Sequence, residues 1–160
     1  MLSGRRWGNV QPRRISLITV SVLIGLTTGF IFWFSLRSSW TSASESRQLL
    51  QLLSDWLGDG TVTEAWHHLL RKYAHFIEFA LLGAEWMALT VLRGSRWRWA
   101  LPGALTAVAD ECLQFLAPGR APRVTDVLLD WGGYLTGAVL VAAVWWLFHR
   151  KKGLAICQLI

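Results

Sequence analysis

Two adjacent carboxylates and an amide interrupt an apolar part of the chain, in the segment AVADECLQFLAPGR. Asp110, Glu111 and Gln114 share an arc of about 100° if this segment is helical, because each helical residue turns the chain by about 100°. Two ionised carboxylates at one depth in an apolar medium repel each other, so at least one must be protonated or paired with a cation. The arrangement favours a functional site, and the alternative is a structural ion pair with Arg120 or Lys72.

A second polar group stands in the segment KYAHFIEF, where His75 and Glu78 are three residues apart and share one helical face. A histidine near lipid headgroups can simply remain hydrated, whereas one beside a glutamate at the same depth can act as an acid or base. Glu85 lies seven residues beyond Glu78, near mid-membrane. Two interpretations of Glu85 are equally consistent with this position: a functional acid, or a protonated acid that is hydrogen-bonded within a helix bundle.

The elements that must position these groups are apolar helices. The chain has 160 residues, of which 53% are hydrophobic and 11 are tryptophan. Four apolar segments, each reaching roughly 27–33 Å as a helix, match the hydrocarbon thickness of a bilayer. They are residues 15–36, 73–92, 99–117 and 131–148. The sequence therefore predicts an all-α membrane protein with four transmembrane helices in a single domain.

The distribution of arginine and lysine predicts the orientation. With the N-terminus in the cytoplasm, ten of the 16 basic residues lie inside, in the N-terminal segment, the second connecting loop and the C-terminal tail. This excess predicts that both termini are cytoplasmic. The net charge of +6 is then explained by topology and by contact with anionic lipid headgroups. Nucleic-acid binding is excluded, because it would need a basic face on a soluble element.

An amphipathic segment is predicted on the outer side, at residues 44–70, between the first two spans. Its apolar stripe at helical spacing consists of Leu49, Leu52, Leu53, Trp56 and Leu57. A capping-box pattern, Thr61 with Glu64, then predicts a new helix that runs directly into the second span.

Depth brings the polar residues of different segments together. The second and third segments run in opposite directions and are joined by a six-residue loop, so their polar groups reach a similar depth near the outer surface. The following loop adds Arg120, Arg123 and Asp126, and Asp130 precedes the fourth segment. We therefore predict a polar pocket at the outer leaflet.

The two arginines that follow the third segment suit an anion. Pro118 cannot continue a helix and Gly119 permits a sharp turn, so Arg120 and Arg123 are held at the membrane rim. A guanidinium group binds phosphate oxygens in a bidentate manner. Ordinary contact with lipid headgroups is the alternative.

A glycine pair opens the last apolar segment, in GGYLTG. Gly133 and Gly137 have the small-xxx-small spacing that lets two transmembrane helices approach closely. We predict that this pair serves helix packing.

Three ordered motifs, RKYAHFIEF, DECLQFLAPGR and TDVLLDWGGYLTG, resemble the VanZ-like membrane proteins over roughly residues 71–137. Phe79 stands where the family commonly has Tyr, and Asp130 where Asn is expected. The resemblance implies a bacterial cytoplasmic-membrane protein, and the family's namesake is associated with resistance to glycopeptides, chiefly teicoplanin. The residues to which it points are Lys72, His75, Glu78, Asp110, Glu111, Gln114, Arg120, Asp126, Gly133 and Gly137.

Three classes of function remain open. The first is a binder or remodeller of an outer-leaflet amphiphile, such as a lipid-linked cell-wall precursor or a lipoglycopeptide drug, and we favour it. The second is an intramembrane enzyme, whose catalytic residues would be His75, Glu78, Asp110 and Glu111. The third is a proton-coupled transporter, which would require association into a homo-oligomer and is supported only by Glu85. In an enzyme His75 could be an acid or a metal ligand, since a histidine with several carboxylates could hold a divalent ion. No HExxH or comparable ligand spacing is present, however, so neither a metal site nor a cofactor is predicted.

Overall fold

The computed structural model describes residues 11–37, 44, 47–52, 55, 64–93, 100–119 and 123–157. Four long helices account for most of them: α1 (Gln11–Ser35), α2 (Glu64–Arg93), α3 (Ala100–Leu116) and α4 (Val124–Cys157). The described residues contain no strand. The all-α prediction is confirmed.

Three of these helices are long and apolar enough to cross a membrane, through Ser16–Ser35, Leu69–Arg93 and Val124–Phe148. Helix α3 has 17 residues and extends about 25 Å, less than the roughly 30 Å of a hydrocarbon core. It ends at Leu116 because Pro118, in the turn that follows, has no N–H to continue the helix. The prediction of four transmembrane helices is therefore wrong for the described part of the chain, which has three candidate spans and one shorter helix.

Helix α4 begins earlier than predicted, at Val124. Asp126 consequently lies in its first turn, and Asp130 lies one turn further along the helix. The sequence placed both residues ahead of the fourth span. The difference matters for the site, because a helix fixes the two carboxylates relative to the rest of the bundle.

Large apolar side chains cover the outer surface of the bundle. Exposed examples on the three candidate spans are Leu26, Trp33, Ile77, Leu81, Val139 and Leu140. Exposing such a surface to water costs about 25 cal/mol per Å², whereas lipid tails solvate it without that cost. The protein is therefore a multi-pass membrane protein.

Helices α1 and α2 run in opposite directions. Thr27 donates a hydrogen bond to Glu85, in the second half of α2 (2.9 Å). Ser35, the last residue of α1, donates one to Asp110. Asp110 in turn lies 3.9 Å from His75, in the first half of α2. The end of α1 thus lies at the level of the first half of α2.

Helices α2 and α4 run parallel and make the most extensive packing in the bundle. A Cβ atom on Gly133 would lie 2.4 Å from the backbone oxygen of Phe76, and one on Gly137 would lie 1.7 Å from that of Ala80. The two pairs follow the same order along both helices, which gives the parallel direction. The predicted packing role of the glycine pair is confirmed.

Helix α3 packs against α4 in the opposite direction. Gly103, near its start, faces the ring of the fully buried Tyr134, so that a Cβ atom there would lie 2.4 Å from Cδ1. Glu111, near its end, accepts a hydrogen bond from the backbone of Arg123, just before α4. The helices therefore alternate in direction along the chain. The start of α1 and the end of α4 lie at the end of the bundle opposite Asp110.

Only part of the predicted amphipathic segment falls within the described residues. Residues 47–52 are helical, and Leu49 and Leu52 are exposed as an apolar stripe requires. Leu53, Trp56, Leu57 and Thr61 lie outside the described residues. Helix α2 starts at Glu64 and continues without a break into its candidate span, as predicted.

Candidate functional site

Asp110 is the most buried acid of the site, with none of its surface exposed. Its Oδ1 accepts a hydrogen bond from the Ser35 hydroxyl (2.5 Å), and its Oδ2 accepts one from the Gln114 side-chain amide (2.9 Å). The donors come from α1 and from one turn further along α3. They hold the carboxylate in one orientation, because each oxygen has its own donor.

Glu111 ties the end of α3 to the start of α4. Its Oε1 accepts from the Gln114 amide (3.2 Å) and its Oε2 accepts from the backbone N–H of Arg123 (2.9 Å). The carbonyl of Arg123 begins the hydrogen bonding of α4 by accepting from the N–H groups of Asp126 and Val127. Glu111 therefore has a structural role in addition to any role in binding.

His75 faces two carboxylates at once. Its Nδ1 lies 3.9 Å from Oε2 of Glu78 and 3.9 Å from Oδ2 of Asp110. Both separations exceed a hydrogen bond but keep the groups in electrostatic contact. The prediction that His75 lies near carboxylates of two different helices is confirmed.

Asp130 completes this cluster from α4. Its side chain is 1% exposed, and neither carboxylate oxygen has a hydrogen-bond partner among the described residues. One oxygen of Asp130, one of Asp110 and a ring nitrogen of His75 all lie within 4.8 Å of one another. The sequence analysis placed Asp130 where the fourth span opens, and the structure buries it in the cluster. These three residues are the described group that could hold a metal ion, which the sequence did not predict.

A polar pocket of about 230 Å³ opens above the cluster. Three basic residues stand beside three acids in its wall. Its lining consists of Arg71, Lys72, His75, Glu111, Gln114, Gly119, Arg123, Asp126, Leu129 and Asp130. Lys72, Arg123 and Asp126 thus line one pocket with the deeper groups, as predicted. Arg120 lies outside the described residues.

An apolar groove of about 450 Å³ lies next to the polar pocket, between α3 and α4. It is lined by Val108, Glu111, Cys112, Phe115, Arg123, Val124 and Val127. Glu111 and Arg123 line both cavities. The sequence analysis missed this groove, because pocket shape depends on how two helices diverge.

Two further residues escaped the sequence analysis. Ser35 ends α1 at the level of Asp110, and Thr27 contacts Glu85 two turns earlier. Hydroxyl groups within an apolar segment are the signal that could have identified them, although this segment contains several. Glu85 lies outside the polar cluster, and its Oε1 accepts from Thr27.

These features define a class: a multi-pass α-helical membrane protein with a buried acid–histidine cluster between its helices. The sequence matches the VanZ/LLP1 family over residues 20–148, and the chain belongs to that family. No curated protein and no solved structure matches it.

Proposed function

We propose that this protein binds or remodels an amphiphilic, anionic, lipid-linked molecule of the cell envelope, at the outer leaflet of a bacterial cytoplasmic membrane. The observation that carries the proposal is that a polar pocket and an apolar groove share two lining residues. The polar pocket accommodates a charged headgroup, the apolar groove accommodates a chain, and Glu111 and Arg123 line both. A polar and an apolar cavity side by side suit a ligand with one polar and one apolar part.

The charges favour an anionic headgroup. Arg71, Lys72 and Arg123 line the pocket, and Lys72 and Arg123 are exposed at its mouth. Arginine binds phosphate oxygens through two parallel hydrogen bonds, and lysine contributes a point charge. Because the backbone of Arg123 is anchored to Glu111, its side chain starts from a fixed position.

The Arg123→Ala variant tests this proposal. It removes the guanidinium group but keeps the backbone N–H that Glu111 accepts, so the fold should persist. We expect retention of a phosphorylated isoprenoid to fall at least tenfold, since a hydrogen bond to a charged group contributes about 1.5–3 kcal/mol. The measurement is mass spectrometry of the lipid that copurifies in detergent. Phosphorylated isoprenoid is then added to compete with that copurified lipid for the site.

The matched control is Arg93→Ala, which removes an exposed arginine from the other end of α2. It should retain lipid as the parent does. Copurification of bulk phospholipid alone, unchanged in Arg123→Ala, would contradict the proposal.

Arg120 is proposed as a second phosphate ligand, on the basis of its place after Pro118 and Gly119 in the sequence. Arg120→Lys keeps the charge but loses the bidentate geometry. We expect the Lys variant to remain folded and to retain less lipid, by about 1–2 kcal/mol. A Lys variant that retains as much lipid as the parent, beside an Ala variant that does not, would show a role in charge balance only.

We also propose that both termini are cytoplasmic and that the cluster faces the outer leaflet. Two observations support this: the excess of basic residues near the termini, and the position of both terminal helix ends opposite Asp110 in the bundle. Reporter fusions at Ser44 and after Ile160 should report opposite sides of the membrane. The same side for both would refute this orientation.

The second candidate function is an intramembrane enzyme acting on a lipid-linked cell-envelope substrate. The contact of His75 with Glu78 and Asp110 favours it, because a histidine between carboxylates can transfer protons. Turnover separates the two functions. An enzyme would release phosphate or another product from an isoprenoid diphosphate in excess over protein, whereas a binder would only retain it.

A contribution to glycopeptide-type resistance is proposed from the family resemblance alone. Expression in a susceptible bacterium should raise the inhibitory concentration of teicoplanin, and Arg123→Ala should lose the increase. Equal sensitivity to teicoplanin with and without the parent protein would contradict a role in resistance. It would not contradict lipid binding, which the copurification experiment tests.

A further inference from the structure

We infer that His75, Asp110 and Asp130 bind a divalent metal ion, with the Glu78 carboxylate beside the site. The first observation is geometric. Ligand atoms of His75, Asp110 and Asp130, from three different helices, lie within 4.8 Å of one another. Atoms bound to one ion at about 2.1 Å are separated by about 3–4.2 Å, so the 3.9 Å between His75 and Asp110 suits a shared ion.

The second observation is the state of Asp130. Its carboxylate is 1% exposed and has no hydrogen-bond partner among the described residues. Burying an ionised carboxylate without a partner costs several kcal/mol, and such groups are normally paired or bound to a metal. Because Asp130 points at a histidine nitrogen and a second carboxylate, a cation between the three would satisfy it.

The third observation concerns Glu78. Its Oε2 lies 3.9 Å from the same His75 nitrogen that faces Asp110, and this oxygen also has no hydrogen-bond partner among the described residues. Two carboxylates and one imidazole thus form the ligand group, and a third carboxylate lies 3.9 Å from the histidine nitrogen. Carboxylate oxygen suits Mn²⁺ and imidazole suits Zn²⁺ and related ions, so a mixed set fits Mn²⁺ or Zn²⁺.

The surroundings of Asp110 resemble the outer shell of a metal site. Ser35 and Gln114 each donate to one of its oxygens and thereby fix the direction of its remaining lone pairs. Carboxylate ligands of metal ions are commonly held in this way. The polar pocket, which His75 and Asp130 also line, gives the ion a path to the surface and would place it beneath a bound headgroup.

The test uses Mn²⁺ as the probe on the full chain in detergent. Electron spin resonance should show one bound Mn²⁺ per chain with coupling to an imidazole nitrogen. His75→Asn should lose that coupling, and Asp130→Asn should weaken Mn²⁺ binding at least tenfold. Thermal melting of the metal-free variants confirms folding, and His75→Asn remains informative if Asp130→Asn does not fold.

The matched control is Glu85→Gln, which neutralises another buried carboxyl of the bundle outside this cluster. It should bind Mn²⁺ as the parent does. The inference is overturned if neither Mn²⁺ nor Zn²⁺ binds in a 1:1 ratio, if no nitrogen coupling appears, or if Asp130→Asn binds as the parent does. Copurified lipid is measured in the same samples. A parent protein that retains lipid but binds no metal overturns this inference alone, and a parent protein that binds metal but retains no phosphorylated lipid overturns the proposed function alone.

Discussion

The buried acids of the bundle lie in two different environments. At one end, Asp110 and Asp130 lie with His75 in a cluster that brings several carboxylates together. Further along the bundle, Glu85 stands apart from the cluster and accepts one hydrogen bond from Thr27. A single acid can be satisfied by protonation and one hydroxyl, whereas several acids in contact repel one another unless some are protonated or paired with a cation.

The close helix packing beside these two regions has a different basis. Gly133 and Gly137 allow α4 to lie against the backbone of α2, and Gly83 of α2 faces the backbone of Tyr134. No polar group is needed where backbones meet in this way, because dispersion contacts stabilise helix association in lipid. The comparison therefore separates stability, carried by glycine contacts, from chemistry, carried by the cluster.

The largest effect is expected where packing alone is disturbed. In Gly137→Ala the new Cβ would lie 1.7 Å from the backbone oxygen of Ala80, so α2 and α4 must separate. We expect the free energy of unfolding to fall by about 3 kcal/mol or more, because the new Cβ meets backbone and not a flexible side chain. Thermal unfolding in detergent measures it. The matched control is Gly132→Ala on the same helix, where nothing lies within 4 Å of the new Cβ. Equal stability of the two variants would mean that the helices do not meet at Gly137.

The second prediction concerns Glu111, which ties the end of α3 to the start of α4. Both oxygens of Glu111 accept, from Gln114 and from the backbone of Arg123, so in Glu111→Gln the new amide NH₂ must face one donor. We expect a loss of about 1–3 kcal/mol in unfolding free energy, together with loss of lipid retention. Unchanged thermal stability would show that Glu111 does not anchor the start of α4. This result differs from the expectation based on size alone, because Gln is similar in volume but has a different hydrogen-bonding pattern.

Some features of the site could be predicted from the sequence, and others could not. Helical period and depth correctly brought His75, Glu78 and Asp110 together, because their spacing is set by regular helices. The burial of Asp130, the donor Ser35 and the apolar groove depend on how α4 starts and on how α1 and α3 approach each other. Those features follow from side-chain contacts between distant segments, which periodicity does not encode. The predicted number of spans was wrong for a different, local reason: α3 has 17 residues, two fewer than the predicted segment, and is short for a bilayer.

The third prediction concerns Asp130, whose carboxylate has no hydrogen-bond partner among the described residues. In metal-free protein, Asp130→Asn should leave the unfolding free energy unchanged or raise it by about 1 kcal/mol, because it removes a buried charge that no donor satisfies. Thermal unfolding in the presence of a chelator measures the effect. A loss greater than about 1 kcal/mol would instead indicate that Asp130 has a structural partner, and it would bring Asp130 closer in role to Glu111.

The smallest effect is expected for the acid that stands apart from the cluster. Glu85→Gln retains a carbonyl oxygen that can accept the Thr27 hydroxyl, so we expect a change in unfolding free energy below about 0.5 kcal/mol. Thr27→Val removes the donor and should cost about 0.5–1.5 kcal/mol, and the double variant should cost no more than Thr27→Val alone. Lipid retention and Mn²⁺ binding should be unchanged in all three. If Glu85→Gln instead abolished either one, Glu85 would act with the cluster, and the division between a structural acid and a functional group of acids would fail.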